Sequence, residues 1–232
     1  MFFWDPMYLV FALPALLLGL WAQSRVQSAY SRYMRVANSR GLTGIQAAEY
    51  LLRAQGLGHV SIEGTPGQLT DHYDPRTKTL RLSRDVAYGR SLAGLSIVAH
   101  EVGHAVQDHT NYGPLKLRSG IVPMVTLSAY LGPILFVTGL LMQSMGLAWL
   151  GVILFSASAV FAVLTLPVEK NASKRALEML RTNGLIVRGE EEAAARQVLD
   201  AAALTYVAAL VQVISTLLYY VFLLSGASRR RD

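Results

Sequence analysis

The chain has 232 residues, of which 53% are hydrophobic and only 16% are charged. A soluble domain of this length usually carries roughly 25% charged residues, so the composition argues against an ordinary soluble protein. The net charge of +6 suits the loops of a membrane protein, and because no basic cluster is interleaved with aromatic residues we expect no nucleic-acid partner. With no cysteine, the chain can form neither disulfides nor thiolate metal ligands.

Four long apolar runs predict four transmembrane helices. A helix needs roughly 20 apolar residues to cross the hydrocarbon of a bilayer. The first run reaches this length only if the residues around Asp5 and Pro6 are included, and no Lys or Arg precedes it, so we interpret it as an uncleaved anchor. The predicted spans are residues 2–22, 121–142, 145–168 and 201–224.

The basic residues predict the orientation. Lys and Arg concentrate in residues 23–120 and 169–200, and none occurs around Gln143, between the second and third runs. The positive-inside rule therefore places both basic segments in the cytoplasm of a multi-pass protein of the plasma membrane. The tail Arg229–Arg231 disagrees, because four complete spans would put it outside.

The segment after the first run predicts a small cytoplasmic α+β part. Residues 22–40 continue the first helix, and Thr43 with Gln46 has the pattern of a capping box that opens a second helix. Turn residues 74–78 separate two segments of β character and predict a hairpin. The three expected β segments are residues 59–63, 68–73 and 79–83.

Three further helical segments are predicted beyond the sheet. One runs from about Ser91 to about Asp108. A second covers residues 169–183, where Asn183 and Gly184 are typical of a helix end. The acidic residues 190–192 suit the first turn of a third helix, which we expect to continue into the fourth span.

The chemistry is concentrated in an H-E-x-x-H motif on the first of these helices. His100 and His104 are four residues apart, so both imidazoles lie on one helix face and can reach one Zn²⁺ ion. Glu101 is displaced from that pair and can act as a general base on a zinc-activated water that attacks a peptide carbonyl. The alternative is a chance match to the motif.

A catalytic zinc site needs a third protein ligand, for which Glu169 is the candidate. Both His104 and Glu169 flank the same antiparallel pair of spans, so they return to one side of the membrane. The small residues Ala172, Ser173 and Ala176 share the face of Glu169 and would permit a close approach to the histidine helix. The alternative for Glu169 is an interfacial carboxylate paired with Lys170 or Arg175. Ser173 is either a hydrogen-bond partner of a ligand or a packing residue.

Other residues are less specific candidates for a role in catalysis or substrate binding. His72 and Tyr73 are candidates for stabilising the oxyanion, or they are ordinary hairpin residues. The strand of residues 79–83 either accepts an extended peptide substrate by strand addition or is an ordinary sheet strand.

Six segments of the chain form a specific combination: Leu69–Arg76, Leu80–Ser83, Ala99–Gln107, Leu166–Glu169, Asn171–Ser173 and Ala202–Ala208. Together they resemble the YugP-type neutral zinc metallopeptidases of bacteria, and the likeness covers nearly the whole chain. It implies a membrane-bound zinc peptidase, distantly similar to the HtpX-type and CAAX prenyl proteases. Those relatives carry a second acidic residue four positions after the ligand Glu, where this chain has Ser173.

We therefore predict a mainly α membrane protein of one domain, residues 1–232, whose cytoplasmic α+β part is zincin-like (gluzincin) and contains a short β-sheet. The expected function is zinc-dependent endopeptidase activity at the cytoplasmic membrane face, on membrane-associated or misfolded proteins. The alternative is a membrane adaptor or scaffold with a structural zinc, although such a protein has no need of Glu101. An intramembrane protease is disfavoured because Arg90 and Gln107-Asp108 bracket the motif helix with polar residues.

Overall fold

The computed structural model describes residues 6–228 and is mostly helical. Seven helices and three strands follow one another along this part of the chain. They are α1 (Pro6–Tyr33), α2 (Gly44–Ala54), β1 (Ser61–Thr65), β2 (His72–Asp74), β3 (Thr79–Ser83), α3 (Arg84–Tyr88), α4 (Leu92–His109), α5 (Gly113–Leu141), α6 (Met145–Thr182) and α7 (Glu190–Ser228).

Four of the described helices, α1, α5, α6 and α7, are long and apolar enough to cross a membrane. The prediction of four apolar helices is thus confirmed. Helix α5 begins at Gly113, eight residues before the predicted start, so only residues 110–112 separate it from α4. The part of the first predicted span that precedes Pro6, and the tail Arg229–Arg231, lie outside the described residues.

The described chain divides into two compact units. The first contains residues 6–22, 117–166 and 205–228, and the second contains residues 23–116 and 167–204. The prediction of one domain, the zincin-like character of the α+β part and its cytoplasmic orientation stay predictions.

The first unit carries its apolar side chains on the outside as well as the inside. A contiguous apolar exterior is unusual for a soluble protein and is what lipid-facing helices require. Exposed members include Leu9, Leu13, Leu16, Leu17, Leu20, Met124, Leu127, Ile134, Ile153, Val160 and Leu218.

Helices α5 and α6 approach each other closely within this unit. A Cβ atom at Gly151 would lie 2.4 Å from the backbone nitrogen of Phe136, so only glycine fits there. Small residues at such crossings let membrane helices gain backbone van der Waals contact. Phe136 in turn stacks on Tyr220 of α7, with ring centroids 3.9 Å apart.

The second unit contains the α+β part and its own hydrophobic core. Helix α2 begins with the predicted capping box, in which Thr43 Oγ1 accepts from the Gln46 backbone N–H. Helices α2 and α4, strand β3 and the adjoining parts of α6 and α7 fill one core. Helix α6 ends at Thr182, and Gly184 has a φ of +62°, which confirms the predicted helix end.

The sheet has the strand order β1-β3-β2, with β1 parallel and β2 antiparallel to β3. The predicted hairpin is therefore confirmed. The possibility that residues 79–83 accept a substrate strand is wrong, because β3 is the central strand and both its edges are already paired. The short helix α3 follows β3 directly and was not predicted.

Candidate metal and catalytic site

Helix α4 presents the H-E-x-x-H motif from within the core of the second unit. Ser91 caps the helix by accepting from the Gly94 backbone N–H at 3.0 Å. Val98 and Ala99 are completely buried, and Ala105 and Val106 are nearly so, which confirms that the motif helix packs against the core. This packing fixes the direction in which both histidines project.

Helix α6 brings Glu169 to these histidines because small residues face α4. Ala172 and Ala176 are completely buried, as the predicted helix face required. The close approach also depends on Gly103, inside the motif. A Cβ atom at this position would lie 2.7 Å from the Ala172 carbonyl oxygen, a contact that real side chains do not make.

His100, His104 and Glu169 converge on one point. Glu169 Oε2 lies 3.2 Å from His100 Nε2 and 3.4 Å from His104 Nε2. One possible ligand atom from each residue lies within 4.8 Å of the others. In a tetrahedral zinc site with bonds of about 2.0–2.2 Å, neighbouring ligand atoms are separated by roughly 3.3–3.5 Å. Two imidazoles and one carboxylate with this spacing could hold a zinc ion.

The electrostatics of the site also favour a cation. Burial alone would raise the pKa of Glu169, but hydrogen bonds from both imidazoles outweigh it and hold the pKa below its usual value. Burial alone would lower the pKa of His104, yet the carboxylates of Glu169 and Glu101 raise it overall. Two buried carboxylates thus concentrate negative charge around the imidazoles, where a bound cation would be stabilised.

Each histidine has a hydrogen-bond partner on its other ring nitrogen. Ser173 Oγ lies 3.2 Å from His100 Nδ1, and Gln107 Oε1 lies 2.9 Å from His104 Nδ1. If both Nδ1 atoms carry the proton, both Nε2 atoms are free to bind metal. The structure therefore supports the role of Ser173 as a ligand partner.

The role of Gln107 is not evident from the sequence alone. Its side chain is completely buried, and its Nε2 donates to the Val168 carbonyl at 2.8 Å and to Asn171 Oδ1 at 3.0 Å. It thereby links His104 to helix α6. The sequence pattern marks Gln107 only as a polar residue near the end of the helix, although its position three residues after His104 places the two side chains on one helix face.

Glu101 is buried beside the candidate metal ligands and is held by strand β2. Its Oε2 accepts a hydrogen bond from the Tyr73 backbone N–H at 3.0 Å. Burial raises the pKa of Glu101, and the neighbouring imidazoles offset only part of that increase. A carboxylate whose pKa is raised is a better proton acceptor near neutral pH than an ordinary one.

His72 and Tyr73 differ from each other in their contacts. The hydroxyl of Tyr73 donates to Asp108 Oδ2 at 2.7 Å, and Lys78 Nζ lies 2.5 Å from the same oxygen. His72 is exposed, and its Nδ1 lies 2.8 Å from the Thr70 carbonyl. The structure therefore places the backbone of Tyr73 rather than its hydroxyl at Glu101.

The structure does not favour the alternative in which Glu169 is an interfacial carboxylate paired with Lys170 or Arg175. Glu169 is only 2% exposed and faces the two imidazoles, whereas an interfacial carboxylate would be solvated. Arg175, which that alternative invoked, donates through Nε to Asn171 Oδ1 at 2.8 Å.

Comparison with known proteins agrees with this geometry. Residues 8–225 match the family described as “Putative neutral zinc metallopeptidase”. The chain is also 44% identical over 221 residues to “Putative membrane protease YugP” of Bacillus subtilis (strain 168), covering 95% of this chain and 98% of that protein. No solved structure matches the chain significantly.

Proposed function

The chain belongs to the “Putative neutral zinc metallopeptidase” family, and from this premise we propose that it is a zinc-dependent endopeptidase. His100, His104 and Glu169 are the proposed zinc ligands, and Glu101 is the proposed general base. The observation that carries this proposal is the convergence of the three ligand atoms beside a buried fourth residue, Glu101. The metal, when bound, would lower the pKa of water and polarise a peptide carbonyl.

Glu101 has the position and chemistry of a proton shuttle. The Tyr73 N–H holds one carboxylate oxygen, which leaves the other to take a proton from the attacking water. The same carboxyl group can then deliver that proton to the departing amine. Because Glu101 is buried, it acts in an environment where its pKa lies above the usual value of a carboxyl group.

Strand β2 is the proposed place for the substrate backbone. It is an edge strand, and the Tyr73 N–H points away from β3 toward Glu101. A peptide extended along this edge would pass beside the general base, and strand addition supplies backbone hydrogen bonds without a sequence requirement. Strand β3, in contrast, lies between β1 and β2 and has no free edge for a substrate.

His72 and Tyr73 receive different proposed roles. His72 lies on the same edge strand and is exposed, so it is the candidate for stabilising negative charge on the substrate carbonyl oxygen. Tyr73 holds Glu101 through its backbone, while its hydroxyl donates to Asp108. The expected result is that His72→Gln lowers kcat more than Tyr73→Phe does.

The proposed location is the cytoplasmic face of the plasma membrane. Glu169 follows the apolar run ending at Leu166 by only three residues, and the basic segments on both sides of the spans favour a cytoplasmic site. A site so close in sequence to a span would meet membrane-anchored or misfolded membrane proteins more readily than soluble folded ones. We therefore propose such proteins as substrates, with the lipid bilayer as the other partner.

The decisive experiment compares wild-type protein with Glu101→Gln in detergent. Zinc content measured by mass spectrometry should be unchanged, whereas casein cleavage should fall roughly 10²- to 10⁴-fold, because an amide cannot accept the proton. Glu49→Gln, an exposed isosteric change on α2, is the matched control. A zinc-loaded Glu101→Gln protein that retains full activity would refute the assignment of the base. A wild-type protein that binds zinc but cleaves nothing would instead favour the adaptor alternative.

A further inference from the structure

A large cavity lies within the second unit, between the C-terminal part of α6 and the first turns of α7. Its volume is about 820 Å³, within the range of roughly 300–1,000 Å³ typical of ligand-binding sites. None of the roles proposed so far uses this cavity. Its lining is Lys170, Ser173, Lys174, Leu177, Glu178, Arg181, Thr182, Arg188, Arg196, Asp200 and Ala203.

The cavity is strongly cationic. Five of its lining residues are Lys or Arg and two are acidic. Arg181 and Arg196 share Glu192, at 3.7 Å and 3.6 Å. Within residues 6–228, Lys170, Lys174 and Arg188 make no ion pair. The cavity therefore holds cations whose charge is available to an anionic ligand.

One wall of the cavity touches the candidate metal site. Ser173 lines the cavity, and its Oγ lies 3.2 Å from Nδ1 of the zinc ligand His100. A ligand in the cavity would therefore lie one side chain away from the metal ligands. This contact links the cavity to the chemistry of the site.

The cations are arranged along a line. Lys170, Lys174 and Arg181 project from the same helix, and the eleven steps from the first to the last rise about 16.5 Å at 1.5 Å per residue. An extended polypeptide covers that distance with about five residues. A single phosphate or lipid headgroup would engage only one end of such a row, whereas a chain with several carboxylates matches its length.

We infer that this cavity binds an acidic segment of the polypeptide substrate, close to the bond that is cleaved. The inference rests on the proposed peptidase function and adds a substrate class to it. Lys170 and Lys174 act as specificity determinants: they attract carboxylates of the substrate and take no part in bond cleavage. A substrate with Asp or Glu in this segment is therefore cleaved faster than the same substrate with Asn or Gln.

The test uses two peptides that differ only by Glu-to-Gln replacement in a five-residue segment flanking a common scissile bond. The double variant Lys170→Gln, Lys174→Gln is compared with wild type and with Arg35→Gln, Arg53→Gln. That control removes the same charge from exposed positions that do not line the cavity. Zinc content and the thermal unfolding midpoint establish that each variant is folded and loaded.

In wild type we expect the acidic peptide to have the higher kcat/KM, by roughly three- to tenfold, the scale of two partly exposed ion pairs. The cavity variant should lose this preference, so that its kcat/KM is the same for both peptides, and the control variant should keep it. Added salt should reduce the preference, because it screens exposed charges. Equal rates for the two peptides in wild type, or a preference that survives in the cavity variant, would overturn the inference.

A binding measurement separates this inference from the peptidase proposal. Fluorescence anisotropy of both labelled peptides with Glu101→Gln protein reports charge-selective binding without turnover. Selective binding that the cavity variant loses, combined with no cleavage by wild type, would support the cavity and refute the peptidase. If the cavity variant instead loses only its binding to vesicles of anionic phospholipid, the cavity binds a lipid headgroup and the inference is wrong.

Discussion

Replacing Gln107 by Leu should weaken zinc binding although Gln107 is not a ligand. The substitution removes the hydrogen bond to His104 Nδ1 and both bonds to helix α6. Partners of metal-binding histidines typically contribute 10- to 100-fold to affinity, so we expect the zinc dissociation constant to rise by about that factor. Leucine has nearly the same size, so the completely buried site keeps most of its packing.

The structure also gives a magnitude for stability. The substitution leaves the Asn171 amide and the Val168 carbonyl with one hydrogen-bond partner fewer each. A buried polar group that loses its partner lowers the free energy of unfolding by about 1–3 kcal/mol. Because Arg175 still donates to Asn171, the lower part of that range applies to Asn171. We expect the free energy of unfolding of the zinc-free protein to fall by roughly 2 kcal/mol in total.

Two measurements separate these effects. Competition with a fluorescent chelator gives the zinc dissociation constant, and denaturant unfolding of the chelator-treated protein gives stability without metal. Asn171→Ala is the matched control, because it removes a bond between α4 and α6 but keeps the contact between Gln107 and His104. Asn171→Ala should therefore lose stability and retain zinc affinity. If Gln107→Leu binds zinc as tightly as Asn171→Ala does, Gln107 does not orient His104 and the reasoning fails.

Three further outcomes are expected. Glu169→Ala removes one of three proposed ligands, so its zinc affinity should fall roughly 10²- to 10⁴-fold and it should copurify with far less zinc. Glu178→Ala, at an exposed position of the same helix, should keep its zinc. Equal zinc content in both variants would show that Glu169 is not the third ligand. Gly103→Ala should weaken zinc binding and lower the unfolding midpoint, since its Cβ would lie 2.7 Å from a backbone carbonyl of α6; an unchanged midpoint would show that the helices separate easily. A cysteine at Thr77 should be shielded from an impermeant thiol reagent in intact cells while one at Gln143 is labelled, and the reverse pattern would overturn the proposed orientation.

Local sequence patterns predicted most elements of the second unit. The capping box at Thr43 and Gln46 satisfies backbone groups within four residues, so it is visible without any tertiary information. The hairpin joining β2 and β3 follows from turn residues between two short β segments. The boundary of α5 was missed because a start at Gly113 precedes the apolar run that marked the span.

Part of the candidate site could also be predicted from local sequence patterns. His100, Glu101 and His104 lie within five consecutive residues of one helix. The common face of the two histidines, and the displacement of Glu101 from it, therefore follow from 3.6 residues per turn alone. Glu169 could be predicted because the apolar runs indicate which span ends reach the same side of the membrane. The short distances from Glu169 to both imidazoles agree with that prediction. These parts of the site could be predicted because periodicity and hydropathy determine them.

The remaining parts depend on contacts between distant segments. Three contacts join segments that are far apart in the sequence. Gln107 bonds to helix α6, the Tyr73 N–H donates to Glu101, and β3 pairs with both β1 and β2. Local sequence does not distinguish a buried glutamine from a solvated one, or a short central strand from an edge strand. Local sequence therefore determined which residues could bind zinc, whereas only tertiary packing decided how those residues are oriented, because burial and hydrogen-bond pairing are set by the neighbours that folding supplies.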